Sequence, residues 1–379
     1  MSIGMPLDLS CALIQIQNVS KIFKTQAGDF TALKDINLCF GQGEYVSIIG
    51  KSGSGKSTLI NMITGIDHPT SGEVRVAEHD VHHMNESQLA EWRGRNLGIV
   101  FQFFQLLPML SILENTILPM DFCNQYPPAE RESRARALLD LVGLGVEAEK
   151  LPAALSGGQQ QLAAIARALA NDPPLIVADE PTGNLDSRSA ARILDLFDEL
   201  VVQGKTIIIV THDSSLAKRT ARRVLISDGM LIDENIAHAL PMLSHPQMLR
   251  LSHLAVARSF QPGATLAKHD NGKVGLFVVA QGHVEAVRHY RSGESELVER
   301  LGPGAYFSEL ELEQDERSTL SFRSAAEESV EALWVSHEAF YHFLGESHAA
   351  ESALRQAAGE RFGHVHRPAQ PRKSFWWRR

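Results

Sequence analysis

The chain is 379 residues long, 44% hydrophobic and 21% charged, with a net charge of −9. That length exceeds one ordinary hydrophobic core and predicts two domains, and the composition is that of a soluble globular protein. The acidic balance excludes a general nucleic-acid binder, and no apolar run is long enough to predict a transmembrane helix. The N-terminus carries no signal-peptide pattern, and Cys11, Cys39 and Cys123 match no disulfide or zinc spacing. A reducing, cytoplasmic location is therefore expected.

In chain order, "YVSIIG" (45–50), "LGIVF" (97–101), "PLIVAD" (174–179) and "TIIIVTH" (206–212) read as buried strands. They alternate with helical stretches up to about residue 235, the pattern of a largely parallel α/β sheet. "SRSAARILDLFDELVVQG" (187–204) has helical apolar spacing and closes on Gly204. The mostly helical stretch 85–155 lies between two chemistry-bearing segments, as an inserted subdomain would. "IAHALPMLSHPQ" (236–247), with two prolines, reads as a linker. Beyond it, short strand-like runs separated by "QPG", "DNG", "RSG" and "GPG" predict an all-β barrel or sandwich. The predicted domains are thus 1–235, a linker at 236–247, a β domain at 248–362, and a tail at 363–379.

"GKSGSGKST" (50–58) fits G-x-x-x-x-G-K-[ST] between a strand and a helix. In such a loop Gly50, Ser52, Gly53, Ser54, Gly55 and Thr58 let backbone N–H groups surround phosphates. Lys56 reaches the β/γ-phosphates, and Ser57 gives an oxygen to Mg²⁺. "LIVADEPT" (175–182) ends an apolar strand in Asp179, placed to hold the Mg²⁺ shell. Glu180 then sits where a water is polarised for attack. Taken alone, such paired acids also fit a solvated turn. "HDVHHM" (79–84) offers His79, His82 and His83, but without a thiolate or a fourth ligand a solvated loop is expected.

"LSGGQQQ" (155–161), followed by "LAAIARALA" and the Asp179 strand, decides between those readings. Over about 14–234 the chain resembles the ATP-binding subunit of ABC transporters, a P-loop NTPase fold with a helical subdomain. The resemblance implies ATP and Mg²⁺ as cofactors. It makes Gln102 of "VFQ" the Q-loop glutamine, a contact of the Mg²⁺ and water site. Asp186 of "GNLD" becomes the D-loop aspartate and His212 of "VTHD" the switch histidine. Phe23 falls where an aromatic stacks on adenine, with Phe30 as a rival. Ser156, Gly157, Gly158 and Gln159 open a helix whose N-terminus caps the γ-phosphate of ATP held by the other subunit, so a head-to-tail homodimer is implied. Where the family usually has arginine after "LSGGQQQ", this chain has Leu162, which bears on rate or stability.

One nucleotide domain without a membrane span implies a separate permease. "FQFFQLLPMLSILENTILP" (101–119) is similar to the macrolide-exporter and lipoprotein-release branch, so extrusion at the cytoplasmic side of the cell membrane is implied. The helical region 102–155 would form the groove for the permease's coupling helix, although most of its apolar residues also fit ordinary core. A soluble, non-transport ABC ATPase is the competing class. It would resemble tandem or coiled-coil-inserted proteins, and neither feature occurs here.

"LGPGAYFSELELEQDERST" (301–319) belongs to a stretch, 246–362, that looks like a cyclic-nucleotide-binding β-roll with flanking helices. The resemblance gives Glu309 the ribose hydroxyl and Arg317 the cyclic phosphate. It also expects a glycine where Ser308 stands. Glu311, Glu313, Asp315 and Glu316 crowd a segment that is a residue or more short. At roughly 1 kcal/mol per like pair ~4 Å apart in water, one arginine does not offset several carboxylates. A docking or dimerisation module without cyclic nucleotide is expected, against the alternative of a nucleotide-gated regulator. Residues 236–360 hold 10 Lys/Arg against 17 Asp/Glu, whereas 361–379 hold 6 basic residues and no acidic one. The tail "HRPAQPRKSFWWRR" thus fits an anionic membrane surface or a solvated end.

Overall fold

The computed structural model describes residues 12–26, 28–183, 185–211, 216, 218–268, 274–290, 292–312 and 318–362. The chain divides into two compact units, meeting between Ile232 and Asp233. His212, Arg317 and the basic tail, all singled out in the sequence, lie outside the described residues.

The first unit begins with two long strands, β1 (Ala12–Thr25) and β2 (Gly28–Gly41), followed by β3 (Tyr45–Ile49) and helix α1 (Lys56–Ile63). Next come β4 (Ser71–Val76), β5 (His79–Asp80), α2 (Glu86–Asn96) and β6 (Leu97–Val100). Helices α3 (Ile112–Phe122), α4 (Pro128–Leu141) and α5 (Gly157–Ala168) form the helical insertion. The unit closes with β7 (Leu175–Asp179), α6 (Ser187–Val202), β8 (Thr206–Thr211), β9 (Arg222–Ser227) and β10 (Met230–Ile232). One sheet has the order β10-β9-β3-β8-β7-β6, parallel except at the β9–β10 pair. A separate antiparallel sheet has the order β2-β1-β4-β5.

The four predicted strands are the consecutive members β3, β8, β7 and β6 of the parallel sheet, with β6 at its edge, and their burial explains their composition. Val177, Ile208 and Val210 join a core with Ile14, Phe40, Ile48 and Leu59. Ile176, Ala178, Ile207 and Ile209 alternate with them and join a second core with residues of α3 to α6. Strands covered on both faces need apolar side chains at every position. The second sheet was not anticipated, because β1 and β2 are exposed along Ile22–Thr25 and Gly28–Thr31 and their pairing is interrupted by register shifts.

The second unit opens with α7 (Glu234–Ala239) and α8 (His245–Leu254), so the stretch read as a linker is largely helical. Asp233 caps α7 by accepting the N–H groups of Asn235 and Ile236. Pro241 lies in the break between the two helices, whereas Pro246 sits in the first turn of α8, where no N–H is needed. Two four-stranded antiparallel sheets follow, built from β11 (Val256–Phe260), β12 (Thr265–Lys268), β13 (Leu276–Gln281), β14 (Val284–Tyr290), β15 (Ser295–Leu301), β16 (Tyr306–Ser308), β17 (Ser318–Ser324) and β18 (Val330–Val335). Their orders are β11-β18-β13-β16 and β12-β17-β14-β15, a β-roll. Phe277, Phe307 and Phe322 stack through its centre with centroids 5.0 and 4.2 Å apart. A short helix α9 (Glu309–Leu312) precedes β17, and α10 (His337–Glu346) and α11 (His348–Phe362) follow β18.

Candidate nucleotide site

The parallel register brings the site residues to one edge of the sheet. Val100 lies opposite Ala178, Asp179 opposite Val210, and Ile49 opposite Thr211. Gln102, Asp179, Glu180 and the loop from Gly50 therefore all leave their strands at the carboxyl edge, where ligands of open α/β sheets bind.

At Gly50 and Gly55 the loop has room for backbone only. A Cβ on Gly50 would meet the Ile226 carbonyl and the Ser54 Oγ at 2.4 Å. Gly55 has φ +103°, and its Cβ would lie 2.6 Å from the Ala32 carbonyl. Ser54 is buried, whereas Ser52 and Gly53 face solvent and Thr58 is half-buried at the start of α1. The Lys56 ammonium donates to the carbonyls of Gly50 and Lys51 at 2.8 and 2.9 Å. Burial lowers its pKa, and Glu180 and Asp179 pull it back up.

Ser57 Oγ donates to Asp179 Oδ2 at 3.1 Å, joining positions 122 residues apart in the chain. Burial pushes the Asp179 carboxyl up, the Ser57 hydrogen bond pulls it down, and the neighbouring Glu180 pushes it up again. A hydroxyl and a carboxylate oxygen in contact beside a phosphate loop are the hard donors that Mg²⁺ takes, so the residues fit that cation. Glu180 has φ +49°, and its Oε2 accepts the Thr211 hydroxyl at 3.3 Å. Thr211 was not anticipated; its only signal is a hydroxyl at the end of an apolar strand.

Phe23 and Phe30 face each other across β1 and β2, so the two rival aromatics share one platform. The Lys21 ammonium lies 4.9 Å from the Phe23 ring and is fixed by Asp67 at 2.6 Å. Gln102 is exposed just beyond β6.

Ser156 and Gln159 form a capping box on α5. The Ser156 side chain accepts the Gln159 N–H at 3.3 Å, and the Gln159 side chain accepts the Ser156 N–H at 3.0 Å. Gly157 at the start of the helix is exposed and Gly158 half-buried. Asp186 caps α6, with Oδ1 accepting from the N–H groups of Arg188 and Ser189 and Oδ2 from the Ser189 hydroxyl. Among the described residues no hydrogen bond joins the N-terminus of α5 to the phosphate loop. Leu162, at the family's arginine position, packs against the second core. His79 and His83 are exposed, whereas His82 is drawn inward, its Nε2 3.1 Å from the Met62 carbonyl.

The ABC transporter family matches residues 33–183, and the cyclic nucleotide-binding domain family matches 257–347. The ABC transporter ATP-binding protein YvrO of Bacillus subtilis is 47% identical over 230 residues, covering 60% of this chain and 100% of that protein. The lipoprotein-releasing system ATP-binding protein LolD of Aquifex aeolicus is 44% identical, covering 59% of this chain and 97% of that protein. The macrolide export ATP-binding/permease protein MacB of Sodalis glossinidius is 41% identical, covering 65% of this chain and 39% of that protein. Among solved structures, a dimeric post-hydrolysis state of the ATP-binding cassette MJ0796 bound to ADP and Pi superposes with a TM-score of 0.57 at 42% identity. It covers 58% of this chain and 97% of that one.

Proposed function

The chain belongs to the ATP-binding proteins of ABC transporters, and from that premise we propose that it hydrolyses ATP to drive a separate membrane permease of the extrusion type. It does so as a head-to-tail dimer on the cytoplasmic face of the membrane. The observation that carries this reading is the Ser57–Asp179 contact, which sets the acids of β7 against the phosphate loop. Lys56 and the loop N–H groups hold the phosphates, and Ser57, Asp179 and Gln102 would hold Mg²⁺. When bound, the cation would supply positive charge to offset that of the phosphates. Glu180, oriented by Thr211, accepts a proton from the attacking water. The exposed N-terminus of α5 is shaped to cap the γ-phosphate held by a second copy.

A cavity of about 440 Å³ lies among Ile66, Arg93, Phe101, Gln105, Arg167 and Asn171. On the loop that lines it, Phe103 and Met109 are 79% and 86% exposed. Large apolar side chains so exposed beside a cavity fit a groove for a cytoplasmic helix of the permease. Met109→Glu should leave basal ATP hydrolysis intact and abolish stimulation by the permease co-purified from native membranes. Undiminished stimulation would remove the groove from this reading.

For the β-roll, a docking role without cyclic nucleotide is favoured by how its acids are used. Glu309 Oε2 accepts the N–H groups of Val274 and Gly275 at 3.1 and 3.2 Å and lies 2.7 Å from His337 Nδ1. Glu311 is 1% exposed, and its Oε2 accepts the N–H and hydroxyl of Ser308. Burial pushes the Glu311 carboxyl up, and Ser308 pulls it down. The chain's own carboxylates thus occupy donors that an anionic ligand would need. Titrating cAMP or cGMP into the full chain should give no saturable heat at sub-millimolar concentrations. Micromolar binding lost in Arg317→Ala would instead make the domain a nucleotide-gated regulator.

A further inference from the structure

Arg167, near the C-terminal end of α5, lies apart from the phosphate-contacting residues yet reaches the turn that follows Gln102. Its Nη2 donates to the Phe104 carbonyl at 2.7 Å, and its Nη1 donates to the Gln105 carbonyl. Among the described residues no carboxylate lies within salt-bridge distance of it, so these two carbonyls are its hydrogen-bond partners. Burial lowers its pKa. Phe104 and Gln105 have φ of +49° and +50°, a left-handed pair without glycine. Such a conformation is strained for residues that carry a Cβ and persists only where the surroundings impose it. The other end of the same helix is also engaged: the tip of the Phe104 ring lies 3.8 Å from where a Cβ on Gly157 would be. The turn is therefore laid along α5, with its ring beside the first residue of the helix and its carbonyls on Arg167.

We propose that Arg167 is a positioning residue for hydrolysis: by holding the Phe104 and Gln105 carbonyls it ties the turn after Gln102 to α5. The N-terminus of α5 serves the ATP held by the partner chain, whereas Gln102 serves the ATP held by its own chain. One guanidinium thus connects the two ATP sites of a dimer, and a shift of α5 when the partner's γ-phosphate seats is carried to Gln102. Arginine suits this task because its planar fork grips two carbonyls at once, whereas lysine presents a single flexible point charge.

This inference rests on Gln102 taking part in hydrolysis, and the test separates the two. Steady-state kcat and KM for ATP are measured on the full chain for Gln102→Ala, Arg167→Met and the double variant, with melting temperatures alongside. Losing two charge-assisted hydrogen bonds should lower kcat roughly 10- to 100-fold in Arg167→Met with little change in KM. The double variant should be no slower than Gln102→Ala alone, and Arg167→Lys should recover part of the loss. Losses that multiply in the double variant, or an unchanged kcat in Arg167→Met, overturn the proposal while leaving the role of Gln102 standing. An unchanged kcat in Gln102→Ala sinks the reading beneath it. If Arg167→Met does not fold, the same cycle with Arg167→Lys decides, with a smaller loss expected and the same absence of multiplication.

Discussion

Replacing Glu180 by glutamine is expected to reduce ATP hydrolysis by about 10²–10⁴-fold, the range that a positioned general base contributes. Binding should survive, because the phosphate loop, Lys56 and the Ser57–Asp179 pair are untouched. Glutamine keeps the shape of the side chain and an acceptor for the Thr211 hydroxyl, so the backbone at φ +49° has no new reason to move. What is lost is the carboxylate proposed to take the proton. Hydrolysis at the wild-type rate in a steady-state phosphate-release assay would mean that another group is the base.

Lys56→Ala should fail one step earlier. The ammonium sits half-buried over the Gly50 and Lys51 carbonyls, and its charge faces Asp179 and Glu180. Truncating one member of a desolvated charge pair costs about 2–4 kcal/mol, or roughly 30- to 700-fold in ATP affinity. Two further effects follow from the same charges. Without the ammonium, Asp179 and Glu180 repel each other and the incoming phosphates more strongly, so the loss should ease at high salt. Equilibrium binding of a slowly hydrolysed ATP analogue measures this directly, and an unchanged dissociation constant would remove Lys56 from the phosphate site.

Much of the nucleotide site was legible because its chemistry is local. Gly50 to Thr58 and Leu175 to Glu180 are each a motif of consecutive residues, and strands buried on both faces announce themselves as unbroken apolar runs. What escaped reading depends on contacts far apart in sequence. Arg167 looked like one more residue of the "LAAIARALA" helix, and only the fold lays it against Phe104 and Gln105, more than sixty residues away. Glu309 looked kept for a ribose, yet it is held by backbone N–H groups of Val274 and Gly275 and by His337. The helices within 236–247 escaped reading because proline marks helix starts as readily as breaks, and Pro246 marks a start. Leu162 departs from its family's arginine yet fits its place, because in this chain that side chain meets a hydrophobic core.

If the γ-phosphate bound by one chain is capped by the α5 N-terminus of another, nucleotide should hold two chains together. Sedimentation of the Glu180→Gln protein, with and without Mg²⁺ and ATP and with bound nucleotide counted, tests it most directly. A dimer formed only with nucleotide and carrying two ATP molecules is expected. Adding Ser156→Arg should return the protein to monomers that still bind ATP, because the phosphate loop is intact and only the cap is blocked. Monomers that bind ATP in Glu180→Gln itself, indifferent to the change at Ser156, would contradict it.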